Sequence, residues 1–462
     1  MVAARWLASA GLALAIAVSG HVEAAPNKCA SAATLRRADV EADLVWLANS
    51  LKDRWAYAEA RQNEGVNIDA LVLDAFSGGA PAMSRSDFMS KLERFVAALH
   101  DGHAAVFDSP GLLPSTQWPR RCPIDFAPSS EGVVASTSAS GISRGDLIES
   151  IDGLPTEKLI VDLMARTPAS TTTARRYWAT RSLGATHAPS TRLVVVDNHG
   201  TRREVTCPTE VRGVGGHEDW IEWRVLDGNI GYLRIRSFLP NPKPSFELLD
   251  WLHELQRGTL SAEQYRDRLN APSREKIRTA FVSLAQTTAL ILDLRGNLGG
   301  TDVLGTEVAS HLVPSSYTYY RLSAREGNGK WTQPSPAPIP AKPPTYTKPL
   351  TVLIDEGTFS AADNLAAFIR DERPAIFVGR PTGGGTGAPR DITLPRSCAH
   401  VMFSTMRIFS PKGRMIEGAG TTPDIAVRWT KSDYSLGRDP DLAAALHALQ
   451  TGNALPKSRP AP

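Results

Sequence analysis

The 462-residue chain carries little net charge, +3, and its Lys and Arg residues are scattered, so nothing in it points to a nucleic-acid partner. Its four cysteines, Cys29, Cys122, Cys207 and Cys398, include no CxxC pair, which argues against a cysteine-based zinc site. Beyond the first residues no apolar run approaches the length of a membrane span, so no stable membrane insertion is expected of the mature chain. One glycine-rich stretch, Thr382 to Gly387, lacks the Lys and the following helix of a phosphate-binding loop, and Pro389 opposes a helix there. A flexible cleft wall is the expectation. The GxSxG spelling at Gly141 to Gly145 has no buried strand before it and no helix after it, which removes the strand-to-helix elbow that such a serine needs.

What is present is a globular composition, 42% hydrophobic and 21% charged, with length for about two to three domains. Arg5, the apolar Trp6 to Val18 and Val22-Glu23-Ala24 read as an export signal over residues 1–24, with a retained anchor as the alternative. The mature protein is therefore expected to be periplasmic or secreted. Export permits disulfides, and Cys122 with Cys207 is the first pairing to expect, as a clasp at the base of the segment they bracket.

Residues 31–118 read as a helical N-terminal region: Leu44, Leu47 and Leu51 share one face, and Phe88, Leu92, Phe95, Val96 and Leu99 share another behind a possible Ser84 or Ser86 cap. The region ends in Leu99-His100-Asp101-Gly102-His103. His100 and His103 could be read as metal ligands, but no third ligand motif accompanies them. A general base is the better functional reading, and a core-edge histidine the plain one. Between residues 122 and 208 the pattern changes to short strands and turns. Residues 219–430 then restore a larger core, with a hairpin around Asp227-Gly228, helical patterns including Ile277, Ala280, Phe281 and Leu284, and a polar surface insertion from Arg257 to Pro272. A helical insertion is expected near 245–272. Residues 431–462 read as one Ala- and Leu-rich helix, Asp441 to Leu449, and a polar tail.

Two units of the same form stand out. Ala289 to Asp293 is a continuous apolar strand feeding Leu294-Arg295-Gly296-Asn297-Leu298-Gly299-Gly300, and Leu350 to Ile354 feeds a turn that ends in Ser360 before Ala361 and Ala362. Repeated strand–turn–helix units argue for an α/β core whose loops meet at one sheet edge. Ser360 sits where a helix starts. It is either a simple N-cap or a nucleophile served by the unpaired N–H groups there.

The segment from Gly141 to Gly153, with Gly145-Asp146-Leu147-Ile148 and the Asp152-Gly153 turn, resembles a PDZ domain, a module that binds extended peptides. LDLRGNLGG, GTFSAAD and IEGAGTTPDI together resemble the tail-specific or C-terminal processing serine peptidases, in the branch of the tricorn core and the interphotoreceptor retinoid-binding protein modules. That resemblance implies an α/β fold with a ββα-spiral, crotonase-like core. It also implies Ser360 as nucleophile, and an oxyanion hole from the backbone of Ala361 and the Gly299-Gly300 turn. No Lys lies between Ser360 and Lys412, so the base of the Ser–Lys branch is missing. The tricorn-like branch implies His103 as base and Glu417 as the supporting carboxylate, with Gly102 standing where that branch has a second serine. The implied activity is endopeptidase cleavage of a polypeptide substrate with no cofactor and no metal. A non-catalytic peptide- or lipophile-binding protein is the alternative.

Overall fold

A computed structural model describes residues 33–76, 81–108, 120–211, 220–240, 254–255, 257–325 and 330–451. The leader expected at 1–24 lies outside these residues. Among the described residues no helix is long and apolar enough to cross a membrane.

The core is a six-stranded sheet in the order Ile221–Leu226, Ile230–Ile235, Ala289–Asp293, Leu350–Ile354, Ile376–Gly379, Ile425–Ala426. The first pair is the expected antiparallel hairpin, and every later pair is parallel. Ala289–Asp293 and Leu350–Ile354 are buried at every position because helices cover both sheet faces. One face packs on helices Ala262–Leu284, Asp302–Ser310 and Ala361–Glu372 through Phe281, Val308, Leu365 and Phe368. The other packs on helix Pro440–Gln450 through Ala445 and Ala448, so the C-terminal helix is part of this core rather than an appendage to it.

The polar stretch read as a surface insertion from Arg257 to Pro272 is largely exposed, and of the helical insertion expected near 245–272 the part up to residue 253 lies outside the described residues. From Ala262 the polar stretch is the first half of a 23-residue helix with Pro272 inside it, anchored by buried Tyr265 and Leu269. Its capping box at Ser261 and Gln264 marks the true start. Pro272 suggested a boundary because proline removes a helical donor, and here the surrounding packing overrides that local preference.

The N-terminal helices, chiefly Arg37–Arg54 and Arg85–Ala98, share a hydrophobic cluster with the hairpin Pro389–Thr393 and His400–Ser404. Ser84, not Ser86, caps the second helix. Strand Ala105–Phe107 pairs antiparallel with His400–Ser404, which fastens the end of the N-terminal region beside the core.

Residues 120–211 have a cluster of their own, built on the strands Phe126–Ser129, Gly132–Ala135, Leu147–Ile151, Ser190–Val196 and Arg202–Pro208 with helices Thr156–Met164 and Thr172–Arg181. Cys122 and Cys207 are bonded at its base with Cα atoms 5.7 Å apart. Cys398 is likewise disulfide-bonded.

Candidate active site

The two turns after Ala289–Asp293 and Leu350–Ile354 are tied to each other. Asp355 Oδ1 accepts the N–H of Gly296 at 2.8 Å and of Gly357 at 3.0 Å, Thr358 Oγ1 donates to Leu294 O at 2.9 Å, and Phe359 N donates to Asn297 O at 2.9 Å. Parallel pairing of the strands puts both turns at one sheet edge, the usual location of α/β sites.

Ser360 follows with φ 58° and ψ −124°, a conformation costly to a residue with a Cβ, by about 1–3 kcal/mol. It occupies the N-cap position of Ala361–Glu372, yet its side chain makes no capping bond. The cap reading is therefore replaced. The strained backbone turns Oγ away from the helix and toward His103 Nε2, 2.9 Å distant.

His103 is delivered by the turn that ends the N-terminal region. Asp101, fully buried, accepts the His103 N–H at 2.9 Å, Trp55 Nε1 at 2.9 Å, and both Ser404 N and Oγ at 2.8 Å. This fixes the turn from three directions. Burial holds the His103 pKa below its ordinary value, although Asp101 pulls the other way, so the ring is neutral near pH 7. Its face packs against Phe359, with ring centroids 4.7 Å apart.

Glu417 reaches the same turn but is not hydrogen-bonded to the ring. Its Oε1 accepts Ser170 Oγ at 2.6 Å and, at 3.4 Å each, Arg61 Nη2 and Gly102 N. Oε2 accepts Thr386 N at 2.8 Å. His103 Nδ1 is buried with no hydrogen-bond partner among the described residues. Burial, helped by Asp101, raises the Glu417 pKa to about 8 against the pull of Ser170, Thr386 N and Arg61.

Of the three backbone groups expected to face an oxyanion, Gly299 N–H is already donated to Asn297 Oδ1 at 2.9 Å. The N–H groups of Gly300 and Ala361 make no hydrogen bond among the described residues. Gly299, at φ +83°, lets the two turns touch: a Cβ there would lie 2.7 Å from both Ala361 N and Ser360 Cβ.

The Thr382–Gly387 stretch is not the flexible wall its composition suggested. It is buried throughout and irregular, and Asp363 holds it by accepting Gly384 N at 2.8 Å, Gly385 N at 3.1 Å and Thr382 Oγ1. Gly385 O in turn accepts Ser360 N at 2.9 Å. The glycines admit the Phe359 ring, since a Cβ on Gly385 would lie 1.9 Å from Phe359 Cε2. Asp101, Ser170, Phe359 and Asp363 escaped sequence reading because each acts through partners far away in the chain. Among the described residues no group of three or more His, Cys, Asp or Glu could hold a metal ion.

The sequence model of peptidase family S41 matches residues 229–427, which hold the whole parallel sheet, both turns, Ser360 and Glu417. Residues 229–427 are thus a peptidase family S41 region. Similar curated proteins include the chloroplastic carboxyl-terminal-processing peptidase 1 of Arabidopsis thaliana. It is 28% identical over 176 residues, which are 37% of this chain and 35% of that protein. The carboxyl-terminal-processing protease of Synechocystis sp. is 27% identical over 230 residues, 49% of this chain and 45% of that protein. The chain thus spans less than half the length of these relatives. Mature CPAF, solved in complex with lactacystin, superimposes with TM-score 0.68 at 19% identity, over 89% of this chain and 98% of that one, which shows a shared S41 α/β fold.

Proposed function

We propose that this S41 protein is an exported serine endopeptidase acting on polypeptide chains. The observation that carries the reading is the 2.9 Å contact between Ser360 Oγ and His103 Nε2, made by a serine held in a strained conformation that no helix cap requires. Neutral His103 takes the Ser360 proton at Nε2 as Oγ attacks the peptide carbonyl carbon, giving a tetrahedral oxyanion that the N–H groups of Gly300 and Ala361 receive. The imidazolium then protonates the leaving amine. Water, deprotonated by the same ring, cleaves the acyl-enzyme and restores Ser360. As pH rises through about 8 and Glu417 ionises, its carboxylate supports the imidazolium electrostatically from beside Gly102 in a site of low dielectric.

The core is a ββα-spiral of the crotonase type, and residues 122–208 form a PDZ-like insert able to take an extended chain at a strand edge. The organisation runs from a leader at 1–24 through a helical region at 31–118 and the insert to a core at 219–430. The experiment is labelling with a serine-reactive fluorophosphonate, followed by peptide mapping, alongside cleavage of casein. The native protein is labelled at Ser360 and cuts casein, and Ser360→Ala does neither while keeping its melting temperature. A folded native protein that neither labels nor cleaves overturns the peptidase reading in favour of a binding protein on the same fold.

A further inference from the structure

Glu417 is where four separate parts of the chain meet. Arg61 comes from helix Ala58–Asn63, Gly102 from the histidine turn, Thr386 from the glycine stretch and Ser170 from the insert. The shortest of these contacts is the one the insert makes, 2.6 Å from Ser170 Oγ to Glu417 Oε1. Ser170 is buried, and its hydroxyl fills the space beside the residue preceding His103: a Cβ on Gly102 would lie 2.3 Å from Ser170 Oγ. The glycine at 102 and the serine at 170 therefore fit each other, and a hydroxyl from a distant segment takes the place of a local side chain.

The position of Ser170 is fixed on both sides. Its carbonyl accepts Arg61 Nη2 at 3.4 Å. Thr171 caps helix Thr172–Arg181 and also donates from Oγ1 to Gly383 O at 3.3 Å. Arg175 Nη2 donates to Ala97 O at 2.9 Å and to Ala169 O at 3.4 Å, clamping the segment to the N-terminal region. We propose that Ser170 is a positioning residue of the Ser360–His103 site: the insert supplies the hydroxyl that fixes the Glu417 carboxyl beside the histidine turn. This rests on the peptidase reading above and goes beyond it, because it makes the insert a structural contributor to the reacting centre.

The ionisable groups facing Glu417 are Arg61, Asp101 and Tyr57, with His103 one residue beyond Gly102. Asp101 opposes ionisation, whereas Arg61, Thr386 N and the Ser170 hydroxyl favour it. Removing the hydroxyl leaves the carboxyl harder to ionise, so support for the imidazolium arrives only at higher pH.

The test measures the rate of fluorophosphonate labelling of Ser360 from pH 6 to 10 in the native chain, Ser170→Ala, Ser170→Thr and Ser170→Cys. Ser170→Ala is expected to label at least about tenfold more slowly at pH 7.5, with its profile displaced upward by about one pH unit, the size of one lost hydrogen bond to a charged group. Ser170→Thr, which keeps the hydroxyl, stays within about threefold and is not displaced, as retention of that hydrogen bond requires. A Ser170→Ala profile that superimposes on the native one overturns the inference, and so does one that is slower at every pH without displacement, which is what a purely structural role would give. If Ser170→Ala does not fold, Ser170→Cys decides, because its weaker donor must still move the profile upward. A native chain that does not label at all refutes the peptidase reading itself, a result separate from these.

Discussion

Glu417→Gln isolates what it costs to keep a carboxyl at the junction of Arg61, Asp101, Ser170 and Thr386. In the folded protein the Glu417 pKa is raised from 4.5 to about 8, mainly by burial and next by Asp101. A raised folded-state value means that the stability contribution is intact below the unfolded pKa and is lost as pH rises through about 8. The shift of 8 − 4.5, about 3.5 units, corresponds at about 1.36 kcal/mol per unit to a ceiling of about 5 kcal/mol. Gln has nearly the same shape and does not ionise. Urea unfolding of both proteins at pH 5 and pH 9 gives the stability gap, variant minus native, at each pH. That gap is expected to grow by several kcal/mol toward pH 9 in favour of the variant, on the linkage of ionisation to folding. Any fixed change in hydrogen bonding at position 417 enters at both pH values and cancels. A gap that changes by less than about 0.5 kcal/mol, well under one unit of pKa shift, refutes the account of a carboxyl buried against its ionisation.

Three further outcomes follow from the same geometry. Gly385→Ala places a Cβ 1.9 Å from Phe359 Cε2 and is expected to cost at least about 2 kcal/mol of stability along with the activity; an unchanged melting temperature would contradict the packing described. Ser360→Gly is expected to be more stable than Ser360→Ala by about 1 kcal/mol, because glycine accepts φ 58° without penalty, and equal melting temperatures of the two variants would remove the strain argument. Since burial lowers the His103 pKa and only the neutral ring accepts a proton, labelling of Ser360 should show, besides the step that follows Glu417, a fall on acidification with its own midpoint below 6.5. A rate that does not fall further between pH 6.5 and 5 would count against histidine as the base.

Much of the frame could be read in the sequence because it is written in short-range patterns. The apolar runs at 289–293 and 350–354 have no polar alternation, which only a strand covered on both faces tolerates, and both became central parallel strands. The spacing of Phe88, Leu92, Phe95 and Val96 likewise marked a helix, although only the structure chose Ser84 over Ser86 as its cap. Where local cues and packing disagreed, packing decided. Pro272 reads as a boundary but lies inside a helix, and Thr382 to Gly387 reads as a mobile wall but is buried around Phe359 and held by Asp363.

The chemistry divides along the same line. Sequence by itself determined that a serine stands at a strand-to-helix junction beside a glycine turn, that no lysine follows within reach, and that a histidine closes the N-terminal region. Only the tertiary structure decided that Ser360 is not a cap, that a ring 257 residues earlier stands 2.9 Å from its Oγ, and that Gly299 has already given its N–H to Asn297. It alone brought Ser170 from the insert onto Glu417. The physical reason is range. Periodicity and turn chemistry act over a few residues and are encoded there, whereas a hydrogen bond between distant segments exists only once buried cores have fixed where each segment lies.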